Sequence, residues 1–366
     1  MKVDFVKLQR QYDLYREEYE ESVLKAMHSG WYILGNELSS FESEFASYMG
    51  SEYCIGVNSG LDALILAVRV LGIGEGDEVI VPSNTYIASV LGITENGATP
   101  VFVEPDEFYC IDVNKIEEVI TERTKAILPV HLYGQACNME AICKLADKYH
   151  LYVIEDCAQS HGAKYKDKYT GNWSTIGCFS FYPTKPMGAL GDSGALLTND
   201  PILADKLKKL RNYGSGIKYI NEMTGKNSRL DELQAAALKV SLKHLKEGNN
   251  YRRNIAKRYL SEITNPLITL PKVSKNSGHV FHVFAIECDT RDHLQNYLKE
   301  NGIQTLIHYP IPPHVQECYK YLGYQKGDFP ICEKMAQREL SLPIYVGMPD
   351  DEVTRVIEVV NSYQGL

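Results

Sequence analysis

No Cys-x-x-Cys pair occurs among the nine cysteines of this 366-residue chain, and no Cys/His spacing suits zinc. A small metal-stapled fold is thereby excluded, and the thiols read as reduced residues of a cytoplasm, most of them buried small hydrophobes. Nowhere do about 18 apolar residues run together, the length a membrane helix needs. Met1-Lys2-Val3-Asp4-Phe5 also lacks the apolar stretch of a signal peptide. No membrane role is indicated, and a cytoplasmic location is expected. Positive charge is short as well: 38 Lys and Arg against 47 Asp and Glu give a formal net charge of −9. That balance argues against general affinity for nucleic acid. An acidic protein that binds an anionic small molecule must gather cations and backbone donors locally. Internal repeats and low-complexity segments are missing. Tryptophan is scarce, at 2 residues beside 25 tyrosines, and no function attaches to that ratio alone.

What is present is ordinary globular composition, 44% hydrophobic and 23% charged, in a length that suggests about two domains. A chain of this size buries a core without disulfides or metals. The first two thirds alternate helical and strand patterns. Leu38, Phe41, Phe45 and Met49 recur at helical spacing behind a capping box, Ser39 to Glu42, and Gly50 ends the run. Strands are predicted at 53–57, 78–82, 100–103, 126–130 and 151–155, with helices at 60–71, 86–95 and 139–149. Such alternation implies an α/β fold with a mostly parallel sheet covered on both faces. GIGEG at 72–76 follows a helix and precedes a strand, the reverse of a dinucleotide loop, so it is a turn. A long helical stretch from 229 to 262 is interrupted around Gly248-Asn249-Asn250. After Asn265-Pro266 a strand at 279–287, a helix at 291–300, a strand at 303–307 and a helix at 351–363 form a smaller α+β unit. The expected division is a large domain over 1–245 and a small one over 246–366.

Three stretches of the large domain carry chemistry. Asn58-Ser59-Gly60-Leu61-Asp62-Ala63 joins a strand to a helix, where free backbone N–H groups and the helix dipole favour a phosphate. Alone, it reads as an N-cap serine. In Ile154-Glu155-Asp156-Cys157-Ala158-Gln159-Ser160-His161, Asp156 stands at the carboxyl end of a buried strand, where ligands bind in open α/β sheets. A carboxylate there needs a cation or hydrogen bonds; a protonated pyridine nitrogen serves, and so does a helix N-cap. Glu155 turns to the opposite side. In Ser180-Phe181-Tyr182-Pro183-Thr184-Lys185, followed by Gly188-Ala189-Leu190-Gly191-Asp192-Ser193-Gly194, a lysine sits beside a glycine-rich turn. In isolation it reads as a surface charge, since lysines are rarely buried. Beside the other two stretches that reading does not hold.

The order NSG, EDCAQSHGA, SFYPTK and GDSGALLTND resembles the sugar aminotransferase branch (DegT/DnrJ/EryC type) of the pyridoxal-phosphate enzymes with the aspartate aminotransferase fold. The resemblance covers essentially the whole chain, including SGWYILGNELSSFESEFASYMG, PSNTYIAS, VHLYGQ, NSRLDELQAA and HYPIPPH. It implies pyridoxal 5'-phosphate as cofactor, with Lys185 forming the Schiff base and then moving the proton. A free lysine has a pKa of about 10.4, so its surroundings must lower it. By the same resemblance Asp156 holds the pyridine nitrogen protonated, which makes the ring an electron sink. Tyr86 stacks on the ring, Gln159 bonds its hydroxyl, and Ser180 with the backbone of Gly60 and Leu61 holds the phosphate. Many members carry threonine where this chain has Leu61, a loss of at most one side-chain hydrogen bond, about 0.5–1.5 kcal/mol. Asn227 reaches the phosphate of the neighbouring subunit, which implies a homodimer with shared active sites.

The amino donor implied by the resemblance is L-glutamate. The residues around Lys185, with Arg211-Asn212-Tyr213-Gly214-Ser215 and Lys218-Tyr219, resemble enzymes that aminate C3 of dTDP-3-keto-6-deoxyhexoses. Enzymes acting at C4 more often carry a TTGEGG-like run after the lysine, absent here. The expected product is a dTDP-3-amino-3,6-dideoxyhexose for a lipopolysaccharide or S-layer glycan, with 2-oxoglutarate as co-product. Tyr182, Lys218, Tyr219 and His308 are the expected substrate contacts; Lys218 reads equally as a loop charge and His308 as a structural histidine. Alternatives are a UDP-linked 3-keto sugar or a 4-keto nucleotide sugar. A sugar 3-dehydratase has histidine in place of the lysine, and a non-catalytic regulator does not need the intact set Lys185, Asp156, Gln159 and Ser180.

Overall fold

The short apolar runs become strands because helices cover both of their faces, leaving no position for a polar residue to reach water. In the computed structural model, which describes residues 1–365, they are β1 (Tyr53–Val57), β2 (Glu78–Pro82), β3 (Thr99–Val103), β4 (Thr124–Ile127), β5 (Tyr152–Asp156), β6 (Ile176–Ser180) and β7 (Gly194–Thr198). They form one sheet in the order β1-β7-β6-β5-β4-β2-β3. Only β7 is reversed: it pairs antiparallel with both β1 and β6, whereas the other ladders are parallel. The parallel strands therefore end on one edge, and β5, β6 and β1 bring Asp156, Ser180 and Val57 to it.

Helices that frame the sheet include α1 (Asn36–Met49), α2 (Gly60–Val70), α3 (Ile87–Thr94), α4 (Met139–Tyr149) and α5 (Glu232–Glu262). On the α1 side Phe45 packs edge-on against Phe179 and Phe181 of the Lys185 segment, with ring centroids 5.2 and 5.4 Å apart. The turn GIGEG indeed links α2 to β2, with Gly72 and Gly76 at positive φ. An exposed hairpin, β8 (Ser215–Ile217) and β9 (Ile220–Asn221), projects between β7 and α5. Further on, β10 (Phe284–Glu287) pairs antiparallel with β11 (Glu339–Leu342), flanked by α6 (Arg291–Glu300) and α7 (Asp350–Asn361). These elements share an apolar cluster of their own, which Val3 joins from the other end of the chain. Seven of the nine cysteines are buried. Among the described residues no helix is long and apolar enough to cross a membrane.

Three expectations need correction. α1 starts at Asn36, so Ser39 lies inside it and forms no capping box. The free N–H groups of its first turn go instead to the Glu232 carboxylate, which accepts from Gly35 at 2.8 Å, Glu37 at 2.8 Å and Leu38 at 3.1 Å. α5 runs unbroken through Gly248-Asn249-Asn250, across the 245/246 position. Glycine weakens a helix by about 1 kcal/mol, but Gly248 and Asn249 are buried here, and tertiary packing outweighs that cost. The strand expected at 303–307 is reduced to isolated bridges, Val3 to Ile303 and Leu306 to Ser341.

Candidate active site

Side chains alternate along a strand, so neighbours at the end of β5 serve opposite faces. Glu155 turns into the core, where its two oxygens accept from Gly171 N–H (2.7 Å), Trp173 N–H (2.9 Å), Ser174 Oγ (2.7 Å) and His131 Nε2 (2.9 Å). His131, Glu155 and Cys157 lie close enough to invite a metal. The four donors already engage the carboxylate, and His131 Nδ1 accepts the Cys137 N–H at 3.1 Å, so the cluster braces β5. Removing the carboxylate in Glu155→Ala strands those donors in the core and should cost at least about 3 kcal/mol. A urea unfolding midpoint unchanged from wild type would show that the brace carries no load.

Asp156 faces the other way, 5% exposed. Its Oδ2 accepts from Ser89 Oγ at 2.7 Å and its Oδ1 from the Ala158 N–H at 3.0 Å; among the described residues no cation forms an ion pair with it. Ser89 is held in turn by Thr85, 2.7 Å away. Next to it, the β1–α2 connection carries Ser59, whose side chain caps the helix by accepting the Asp62 N–H at 3.1 Å. Both meanings of this segment therefore coexist: Ser59 is a cap, and the N–H groups of Gly60 and Leu61 still find no acceptor within the described chain. Gly60 is required by close approach, since a Cβ there would collide with the Ser180 side chain.

After Ser180 the chain folds back tightly. The Lys185 N–H bonds the Tyr182 carbonyl at 2.8 Å, and the Ala189 N–H bonds Phe181 at 2.8 Å. This loop aims Lys185 into a cavity of about 570 Å³ also lined by Asp156, Gly60, Leu61 and Ser180. Burial pushes the Lys185 ammonium down to about 8, against a smaller upward pull from Asp156. The lysine thus has a substantial neutral fraction near physiological pH. Burial, and then the Lys185 charge, also hold down His308, to about 4, and His282.

Tyr86, Gln159, Tyr182 and His308 complete the expected set around the same cavity. Gln159 is fixed on both sides: Oε1 accepts the Tyr133 N–H at 2.6 Å and Nε2 donates to Tyr309 Oη at 3.2 Å. The Tyr86 ring tilts toward Tyr309, 5.1 Å away. Three residues stay outside. Asn227 is exposed beside Asn212, and Lys218 and Tyr219 stand at the tip of the β8–β9 hairpin, Tyr219 being 87% exposed. Sequence reasoning missed Ser89, Thr85, His282 and Tyr309. Ser89, Thr85 and Tyr309 fall inside stretches quoted for the resemblance, PSNTYIAS and HYPIPPH; nothing local marks His282.

Comparison with known proteins agrees with this geometry. The model of the DegT/DnrJ/EryC1/StrS aminotransferase family matches residues 13–361. The chain is 54% identical over 350 residues to the dTDP-3-amino-3,6-dideoxy-alpha-D-galactopyranose transaminase of Aneurinibacillus thermoaerophilus, an alignment spanning 95% of this chain and 96% of that one. It is 46% identical over 364 residues to the dTDP-3-amino-3,4,6-trideoxy-alpha-D-glucose transaminase of Streptomyces venezuelae, spanning 99% and 96%. Its structure superposes on that of S. venezuelae DesV in complex with ketimine intermediate with a TM-score of 0.97, at 46% identity over 98% of each chain.

Proposed function

The chain belongs to the DegT/DnrJ/EryC1/StrS aminotransferase family, whose enzymes depend on pyridoxal 5'-phosphate, and from that premise we propose that it moves an amino group from L-glutamate to C3 of a dTDP-3-keto-6-deoxyhexose. The products are a dTDP-3-amino-3,6-dideoxyhexose and 2-oxoglutarate. One observation carries the reading: a lysine lowered toward neutrality and a carboxylate without an ion pair face the same cavity. The residues fit the cofactor. Asp156 lacks the cation that a protonated pyridine nitrogen supplies, and the free N–H groups of Gly60 and Leu61, with Ser180, suit a phosphate. When bound, pyridoxal phosphate supplies a carbonyl that bonds reversibly to amines and a ring that accepts electrons.

Lys185 Nζ would hold the cofactor covalently and, when free, would take a proton from one carbon and return it to another. Its lowered pKa suits both tasks, because a neutral amine is needed to accept a proton. Asp156 would keep the ring nitrogen protonated, Tyr86 would cover the ring face, and Gln159 would meet the ring hydroxyl with the amide that Tyr133 and Tyr309 fix in place. Tyr182 and His308 meet the sugar. Lys218, Tyr219 and Asn227 lie outside this chain's own cavity, and we assign them to the site of a second copy, in a cytoplasmic homodimer. The exposed apolar hairpin residues Ile217 and Ile220 support that assignment. We keep the division into residues 1–245 and 246–366, with α5 spanning it, and place the product in a lipopolysaccharide or S-layer glycan.

The test is to convert the holoenzyme to its amine-loaded form with glutamate, remove the excess, and offer dTDP-linked 3-keto and 4-keto 6-deoxyhexoses separately. Return of the original cofactor absorbance with the 3-keto sugar alone is the expected result. Return with the 4-keto sugar alone would move the site of amination to C4. Return with neither, but with a UDP-linked 3-keto sugar, would replace the nucleotide.

A further inference from the structure

Behind His308 lies a chain of hydrogen bonds. Glu339 and Ser341 are two apart on β11 and so share one face, and both are buried. The bridge from Leu306 to Ser341 lays the His308 segment beside them. Ser341 Oγ lies 2.6 Å from Glu339 Oε1 and 2.8 Å from His308 Nδ1, while Glu339 Oε2 accepts the His308 backbone N–H at 2.7 Å. His308 lines the cavity together with Lys185. Since Nδ1 is taken by Ser341, Nε2 is the nitrogen left for a bound sugar.

Ser341 has one proton to give, so the state of Glu339 sets the direction of the chain. With an ionised carboxylate, Ser341 donates to it and must accept from His308, which then carries its hydrogen on Nδ1. With a protonated carboxyl, Glu339 donates to Ser341, Ser341 donates to Nδ1, and the imidazole hydrogen sits on Nε2, toward the cavity. Facing Glu339 are Glu287 across the strand pair, the Arg291 guanidinium, which donates to the Glu339 carbonyl at 3.0 Å, and the phenols of Tyr109, Tyr133 and Tyr309. Glu287 is held by Tyr109 Oη at 2.9 Å and Arg338 Nε at 3.1 Å. Facing His308 are Lys185, His282, Phe5 and Tyr309. Burial raises the Glu339 carboxyl to about 8, while burial and then Lys185 press the imidazole down to about 4. At neutral pH the carboxyl therefore holds a proton that the imidazole cannot store as a cation.

We propose that Glu339 and Ser341 act through His308 as a relay that delivers a proton to the oxygen leaving the keto carbon of the sugar. The destination of the proton rests on the function proposed above. In the step, the Nε2–H bond breaks as an O–H bond forms on the departing oxygen. The Ser341 O–H breaks as Nδ1–H forms, and the Glu339 O–H breaks as the Ser341 hydroxyl is restored. The imidazole stays neutral throughout and the carboxyl ends ionised. It is recharged in the donor half-reaction, where water supplies the oxygen of 2-oxoglutarate: one of its two protons returns to the carboxylate along the same chain and the other goes to the departing amine nitrogen.

The relay is read directly from nitrogen resonances of the holoenzyme carrying ¹⁵N in its histidine rings, His308 being assigned by the signals lost in His308→Gln. The expected result is hydrogen on Nε2 at low pH and on Nδ1 at high pH, with a midpoint near 8, the value to which burial brings Glu339. Glu339→Gln, whose amide donates permanently to Ser341, should stay in the Nε2–H form between about pH 6 and pH 10. Ser341→Ala should show no transition, and both variants should slow the sugar half-reaction by about 100-fold. A wild-type ring that keeps one tautomer across that range, or a Ser341→Ala ring that still switches, overturns the relay. This readout needs no sugar. Intact switching in an enzyme that aminates no keto sugar would instead overturn the functional reading, and the proton's destination with it.

Discussion

Lys185→Ala is expected to fold normally and to lose amino transfer by at least about 10⁴-fold, a barrier increase of roughly 5 kcal/mol. The size follows from two tasks meeting on one atom. On the proposed reading Nζ is the covalent anchor and also the base, and among the described residues no other amine lines the cavity. The histidines that share it with Lys185, His282 and His308, are held below their ordinary range chiefly by burial, which the substitution leaves in place, and cannot take over as strong bases. Stability should change little, because a lysine forced below its ordinary pKa by burial is a cost to the fold rather than a support. The measurement pairs single-turnover rates with borohydride reduction: the wild type should retain the cofactor's mass on the peptide containing residue 185, and the variant should not. Activity near wild type in the variant, or reductive labelling of another lysine, would sink the assignment.

The second large effect is expected at Asp156. Asp156→Ala removes the carboxylate proposed to keep the ring nitrogen protonated, and the rate should fall by about 10³-fold, at least about 4 kcal/mol. Asp156→Asn separates this role from local structure, because its carbonyl can still accept the Ala158 N–H while its NH2 donates to the Ser89 hydroxyl, which can turn to donate to Thr85. If the charge matters, Asn should lose nearly as much as Ala. A loss below tenfold in both variants would make Asp156 a turn cap and nothing more. The neighbouring Glu155 is an internal control, since it lies on the same strand end but faces the core. Its removal should lower stability, whereas removal of Asp156 should lower rate.

Much of this site was legible in the chain, for a specific reason. A ligand that binds at the carboxyl edge of a parallel sheet draws on strand ends and helix starts, and those are marked locally by apolar runs, glycines and small polar residues. Gly60, Asp156, Ser180 and Lys185 all sit at such points, and the structure places them around one cavity. The hairpin residues Lys218 and Tyr219 and the exposed Asn227 share the motifs but not that cavity, because a single chain does not bring them there.

The contacts that escaped the sequence reading join residues far apart along the chain. Glu232 caps a helix nearly two hundred positions away, Ser89 supports Asp156, and Glu339 with Ser341 backs His308. The strand expected at 303–307 failed for a related reason: its apolar pattern is satisfied by burial against Val3 and β11, without a full ladder. Periodicity and turn chemistry act over a few residues, so the sequence by itself determined five of the seven strands of the large sheet, most of the helices, the edge where the candidate site lies and the lysine and carboxylate proposed for it. Which side chains brace those groups, and which proton paths run behind them, is decided by packing between distant segments, and only the tertiary structure sets that.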